Sequence, residues 1–249
     1  MKITIILLLT ASNLFGQNIS LKATYSKSLT QAVISLSQKE DEAAKILRGF
    51  EIQAIELLKE IKFELIVKDS KSLFYANDNN PLEGKKNYKT AISIGINLKG
   101  KYYTDFEKNE VINQKESLGE TFLVKEKFDK YKWVLHNETK KIGQFLCYKA
   151  TAIEEVIHPF SNEIRKNIIT CWYNPEIPVK CGIGKYTNLP GLIISLETNN
   201  TKMILNDLVL NPKTGVEIKK PSKGKPLSAT EFNNIGIEMT RNFKERKKL

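Results

Sequence analysis

From Ile61 onward, apolar and polar residues alternate in short runs, and turn-forming residues cut those runs at short intervals. In the first run Ile61, Phe63, Leu65 and Val67 alternate with Lys62 and Glu64, the period of a strand with one buried face. Asp69-Ser70-Lys71 reads as a turn, and Leu73 to Ala76 as the partner strand. Further strand-like runs fall at Tyr102 to Phe106, Glu110 to Gln114, Thr121 to Lys125, Lys132 to His136, Phe145 to Ile153, Ile164 to Tyr173, Leu192 to Glu197 and Met203 to Leu210. A more modest one precedes them at Ile19 to Thr30, and a weaker apolar run lies at Ala91 to Leu98. This rhythm predicts a meandering antiparallel sheet. The expected fold is mainly β, a large curved antiparallel sheet with one amphipathic helix near the N-terminus and one at the C-terminus.

Both helices announce themselves by a change of period. Ser37 is an N-cap candidate, and Glu40, Asp41 and Glu42 suit the positive end of a helix dipole. Ile46, Leu47, Phe50, Ala54, Leu57 and Leu58 then follow 3.6-residue spacing, which predicts a helix from Gln38 to Lys59 with Ile46, Phe50 and Leu57 on the sheet. Near the other end, Ser228 and Glu231 form a capping box, and Phe232, Ile235, Met239 and Phe243 define a helical stripe over 228–246. The Pro- and Lys-rich stretch 212–226 reads as an exposed connector, and 77–89 as a polar surface loop.

The first residues read as an export signal. Lys2 gives a positive start, and Ile3 to Ala11 an apolar segment too short to span a bilayer. Cleavage after Gly16 is expected, leaving a single domain over 17–249. No cysteine lies near that point, so a lipoprotein anchor is not expected, and the destination is periplasmic or extracellular. No later run reaches the roughly 18 apolar residues of a membrane-spanning helix. The formal charge of +11 is spread over every segment and accompanies no nucleic-acid motif, so it reads as a solvated surface.

The stretch from Thr170 to Leu196 organises the second half. Trp172 and Tyr173 close a strand, Pro175 and Pro178 bend the chain, and Gly182 and Gly184 supply a turn. Pro190-Gly191 suits the centre of a type II turn, which predicts a positive φ at Gly191 before the apolar run Leu192 to Leu196.

These residues carry a resemblance. Asn188 to Ile193 resembles the signature hexapeptide of the GLPGLI family, secreted proteins of Bacteroidetes-type bacteria. Trp133 with Glu138, Lys141, Ile142 and Gly143 resembles a second family block, and Cys147, Lys149, Ala150 and Thr151 a third. Trp172, Tyr173, Glu176, Ile177 and Pro178 resemble a fourth, and Phe63, Leu65, Ser72, Leu73 and Phe74 its upstream strands. The likeness covers 60–212. Asn188 stands where the family has its first Gly, Cys171 where Ala is usual, and Ile183 where Pro is usual. The resemblance implies a β-rich exported domain and carries no activity, because the family's biochemical role is not established.

Little in the sequence speaks of chemistry. His136 and His158 have no second histidine at metal-ligand spacing, and Cys171 and Cys181 lie too far apart for a metal knuckle. No nucleophile elbow or phosphate-binding loop occurs, so neither a metal nor a cofactor is expected. The candidate ligand-binding set is Trp133, Glu138, Lys149, Trp172, Tyr173, Glu176 and Tyr186. The leading expectation is a non-enzymatic binding or accessory protein of the cell envelope, taking an apolar or peptide-like ligand on its concave face. One alternative is a glycan or peptide hydrolase with Glu138 and Glu176 as acid and base. Another is a structural partner of an outer-membrane complex. An apolar pocket would favour a carrier, opposed carboxylates a hydrolase, and neither a partner surface.

Export to an oxidising compartment also favours a disulfide. With Cys147 facing Cys171 across a hairpin of Phe145 to Ile153 and Ile164 to Tyr173, the two sulfurs would meet. A Cys171–Cys181 bridge and three free thiols stay open as alternatives.

Overall fold

The alternating runs form twelve strands of one sheet in a computed structural model that describes residues 19–29, 49, 52, 55–77, 100–117, 119–157, 163–198 and 201–246. The first six are β1 (Ser20–Leu29), β2 (Lys62–Lys68), β3 (Lys71–Ala76), β4 (Lys101–Asp105), β5 (Glu110–Ser117) and β6 (Glu120–Lys127). The others are β7 (Val134–Ile142), β8 (Phe145–Ile157), β9 (Ile164–Asn174), β10 (Leu192–Thr198), β11 (Thr201–Leu210) and β12 (Lys225–Ser228). Their spatial order is β12-β6-β5-β4-β3-β2-β1-β11-β10-β9-β8-β7. The mainly β expectation is met, and every neighbouring pair is antiparallel except β12 with β6. β12 was not legible in the sequence: it is four residues long and contains Pro226, which an edge strand tolerates because one side of it needs no donor.

Helix α1 is seen at 55–60, where Leu58 is buried and Leu57 packs against the core. Ile46 and Phe50 of the expected stripe lie outside the described residues, as do residues 1–16, expected as an export signal, and the run 91–98. Helix α2 (Ala229–Arg246) starts at the expected capping box. The Glu231 amide donates to Ser228 Oγ at 3.1 Å, and the Ser228 amide donates to Glu231 Oε2 at 2.7 Å. Phe232 then sets its ring edge-on to Phe122 of β6, with centroids 5.5 Å apart. The side chains of Met239 and Phe243 lie outside the described residues.

The sheet curls, and its topology demands it. β6 and β7 stand ten strand steps apart in the order, roughly 48 Å along a flat sheet at roughly 4.8 Å per step. Residues 128–133 join them, and that link can span at most about 25 Å. This short strap therefore draws the two flanks together and makes one face concave.

The chain itself fills that concave face. Between β9 and β10, segment 175–191 leaves the sheet and folds across its inner side. Ile177, Val179, Cys181, Ile183, Tyr186 and Leu189 from this plug are buried with the inward residues Leu21, Ala23, Tyr25, Phe63, Leu65 and Phe74. Its reach is wide. Cys181 hydrogen-bonds to Ser72 on β3, while the Tyr186 ring lies tilted against Tyr131 of the strap, with centroids 5.1 Å apart. Internal bonds hold its shape: the Asn188 amide donates to the Lys180 carbonyl at 2.8 Å and the Leu192 amide to the Ile177 carbonyl at 3.0 Å. Tyr25 Oη adds a tie at 2.8 Å to the Ile193 carbonyl.

Two expectations on this segment are corrected. Gly191 does not have a positive φ; the left-handed residue is Asn188, at φ 68°. Asn, whose short polar side chain can hydrogen-bond locally, tolerates that region better than most residues with a side chain, so it can stand where a glycine is usual. Gly191 is required for space instead, because a Cβ there would lie 2.2 Å from the Asn174 carbonyl oxygen. The Cys147–Cys171 disulfide is absent, and Cys147, Cys171 and Cys181 are all free thiols. Cys171 faces Ala150, and Tyr148 faces Tyr173. Cys147 therefore lies three positions along β8 from the place opposite Cys171, at the wrong parity of the strand alternation to share its face.

Candidate functional site

The structure divides the candidate binding residues between the two faces of the sheet. Trp133 and Tyr186 belong to the filled interior. Trp133 Nε1 donates to the Thr187 carbonyl at 2.8 Å, and Tyr186 is buried in the plug. Tyr173 is also inward, 6.2 Å from Tyr148 between ring centroids. Glu138, Lys149 and Trp172 lie on the outer face. Lys149 Nζ donates to both Glu138 oxygens at 3.0 Å, Trp172 sits directly across from Lys149, and Lys140 Nζ hangs 5.5 Å from the Trp172 ring centre. Glu176 stands exposed in the turn after β9.

Around the plug tip lies a buried polar cluster that motif reading missed. Gly184, at φ 60°, turns the tip so that Lys185 pairs with Glu154 on β8. Tyr131 Oη donates to the same Glu154 Oε1 at 2.7 Å. Burial alone would raise the Glu154 carboxyl, but the Lys185 charge and the bonds from Lys185 and Tyr131 hold it below its usual range. Lys27 of β1 is only 2% exposed and has no ion-pair partner among the described residues. Burial, and then the neighbouring Lys185, push its pKa down to about 8. The signal for it was present: Leu21, Ala23, Tyr25 and Lys27 share the inward parity of β1. Tyr186 Oη is buried without a hydrogen-bond partner among the described residues, and burial together with Glu154 and Tyr102 raises that phenol well above its usual value. This arrangement ties the plug tip to β8 and to the strap.

Among the described residues no group of three or more His, Cys, Asp or Glu is placed to hold a metal. A cleft of about 480 Å³ opens at the β4–β5 turn, and its walls are charged: Lys108, Asn109, Glu110, Lys125, Glu126, Lys127 and Lys220. Lys220 reaches Glu110 at 2.6 Å there. These walls do not make the apolar pocket that a carrier needs.

The apolar surface that remains exposed is concentrated elsewhere. β7 pairs with β8 only as far as Thr151, and β10 pairs with β9 only as far as Thr170. Beyond those points, 152–157 and 164–169 pair with each other alone among the described residues, as a two-stranded ribbon. On its outer face Ile153 (62% exposed) sits across from Ile168 (65%), and Ile157 across from Ile164. Between the two rows, Glu155 pairs with Lys166 at 3.6 Å. No helix among the described residues is long and apolar enough to cross a membrane.

The fold has solved counterparts. Two structures titled "Structure of PNGF-II", in P21 and C2 space groups, are similar over 90% of this chain with a TM-score of 0.50 and 14% identity. This chain spans about a third of their length, 34% and 33% respectively. No curated protein matches the sequence. A family model described as "Protein of unknown function (Porph_ging)" matches residues 158–195, the stretch that carries β9, the plug and the start of β10, and there the chain is similar to that family.

Proposed function

We propose that this chain is an exported, non-catalytic binding or accessory protein of the cell envelope that works by surface contact with another polypeptide. The observation that carries this reading is an inversion of the expected bowl. The concave face is occupied by the plug, while paired isoleucines stand exposed on the outer face of the β8–β9 ribbon. Contiguous exposed apolar residues rimmed by polar ones mark interaction sites more often than chance exposure does. An isolated two-stranded ribbon is also marginally stable in water, so a partner on its apolar face stabilises it as well as binding it.

The test is capture from a native envelope extract, with mass spectrometry of both proteins and lipids. Wild-type protein is expected to retain a polypeptide partner that Ile153→Glu and Ile168→Glu release, and to carry no stoichiometric lipid. Lipid bound at one per chain, or capture indifferent to both substitutions, would overturn the reading in favour of a carrier or of another surface.

A further inference from the structure

The outer face of the ribbon is complementary to itself. From root to tip its rows are Lys149 with Trp172, Thr151 with Thr170, Ile153 with Ile168, Glu155 with Lys166, and Ile157 with Ile164. Resting on the reading that this face is the contact surface, we propose that its partner is a second copy of the chain. The two ribbons pack face to face about a two-fold axis that runs along their length.

Rotation about that axis carries β8 of one copy over β9 of the other. Every row therefore meets its own reversed image: Ile153 lies on Ile168 of the second copy, and Ile157 on Ile164. Glu155 meets Lys166 of the second copy and Lys166 meets its Glu155, so the ion pair within the ribbon repeats twice between ribbons. At the root, Lys149 comes over the Trp172 ring of the second copy, a cation over a π face. The other face-to-face two-fold axis crosses the ribbon through the charged row. It would set Glu155 on Glu155 and Lys166 on Lys166 in a seam that water is leaving, which is unfavourable. Charge thus selects one of the two isologous arrangements.

Shape agrees with charge. The sheet curls around the plug, so its outer face is convex, and two copies can meet along their ribbons while their bodies diverge. The chain's charge of +11 opposes association only at long range, and at physiological salt a Debye length of about 8 Å screens most of it.

The test is sedimentation equilibrium of the full chain at physiological salt across micromolar concentrations. A reversible dimer is expected. Ile168→Glu should make it monomeric without altering circular dichroism, since the side chain is exposed, and should lower the melting temperature only by what dimerisation adds. E155K alone and K166E alone should each weaken dimerisation by about tenfold or more through like-charge contact. An equimolar mixture of the E155K chain and the K166E chain should associate again, because each supplies what the other lacks. A monomer throughout, or a dimer that ignores these substitutions, would overturn the proposal. If the protein is monomeric and Ile168→Glu still abolishes capture of an envelope polypeptide, the ribbon stays the contact surface and only the second copy is wrong. If capture is also unchanged, the contact surface itself is wrong.

Discussion

Trp133 and Thr187 join the strap to the plug. The Trp133 indole donates to the Thr187 carbonyl at 2.8 Å, and the Thr187 hydroxyl donates to the Phe128 carbonyl at 2.6 Å. One plug residue thus ties down both ends of the link that bends the sheet. Thr187→Val keeps the shape, removes the hydroxyl and leaves the Phe128 carbonyl buried without its donor. It should lower stability by about 1–3 kcal/mol, read as a shift in the denaturant midpoint at unchanged slope. Trp133→Phe removes only the indole donor and part of the ring, and should cost less. A Thr187→Val midpoint equal to wild type would show that the clamp carries no strain of closure.

Gly191 and Asn188 bracket the signature turn for different reasons. A Cβ at Gly191 would lie 2.2 Å from the Asn174 carbonyl oxygen and 2.8 Å from Pro175 Cα, both backbone atoms that cannot step aside singly. Gly191→Ala should therefore destabilise by about 1–3 kcal/mol, the range for overpacking. Asn188 has room but sits at φ 68°, so Asn188→Gly should be nearly neutral and Asn188→Val should cost about 1–2 kcal/mol. Thermal melts of the three variants separate crowding from conformation. An undisturbed Gly191→Ala would contradict the close approach.

Lys27 gives stability a pH dependence of known sign. Its folded pKa is about 8 against an ordinary 10.5, so the folded state sheds the proton before the unfolded state does. Below pH 8 both states are charged and burial carries its full cost, on the order of 3 kcal/mol. Between pH 8 and 10.5 that cost fades, and above 10.5 it is gone. Among the described residues the charge that acts on Lys27 is Lys185, which is itself paired with Glu154. Lys27→Met should raise the melting temperature at pH 7, with a gain that shrinks as pH climbs through this window. A gain that stays constant with pH would mean the ammonium remains solvated.

The three cysteines should behave as buried thiols. Burial pushes Cys147 up to about 11 and Cys181 up to about 12, and Cys171 well above its ordinary value. Thiolate, the reactive form, is therefore scarce at neutral pH. Native protein should resist iodoacetamide, and unfolded protein should label at all three positions. A Cys147–Cys171 peptide in a non-reduced digest would contradict the register of β8 on β9, and a Cys171–Cys181 peptide would contradict the free thiols.

Most of the sheet was legible because side chains alternate with a fixed period and turns punctuate them. β2, β9, β10 and the capping box of α2 fall where Phe63, Trp172, Leu192 and Ser228 place them. What stayed hidden depends on residues far apart in sequence. The register of β8 on β9 is set by how the strands pack, so nothing local told Ala150 from Cys147 as the partner of Cys171. Segment 175–191 read only as bends and turns from its prolines and glycines, and Ile177, Val179, Ile183 and Leu189, with the spacing of neither helix nor strand, bury as irregular filler. The candidate binding residues do not share one face, because sequence blocks do not report faces: Trp133 turns inward while Glu138 and Lys149 turn outward.

Hydrogen–deuterium exchange over residues 177–193 tests the filled concave face most directly. The Asn188 and Leu192 amides donate to the plug's own carbonyls at 2.8 and 3.0 Å. They should exchange only with global unfolding, at the rate of β1 and β2 amides. Exchange of this segment within seconds, while β1 and β2 stay protected, would make it a mobile cover over an open cavity and would contradict the plug.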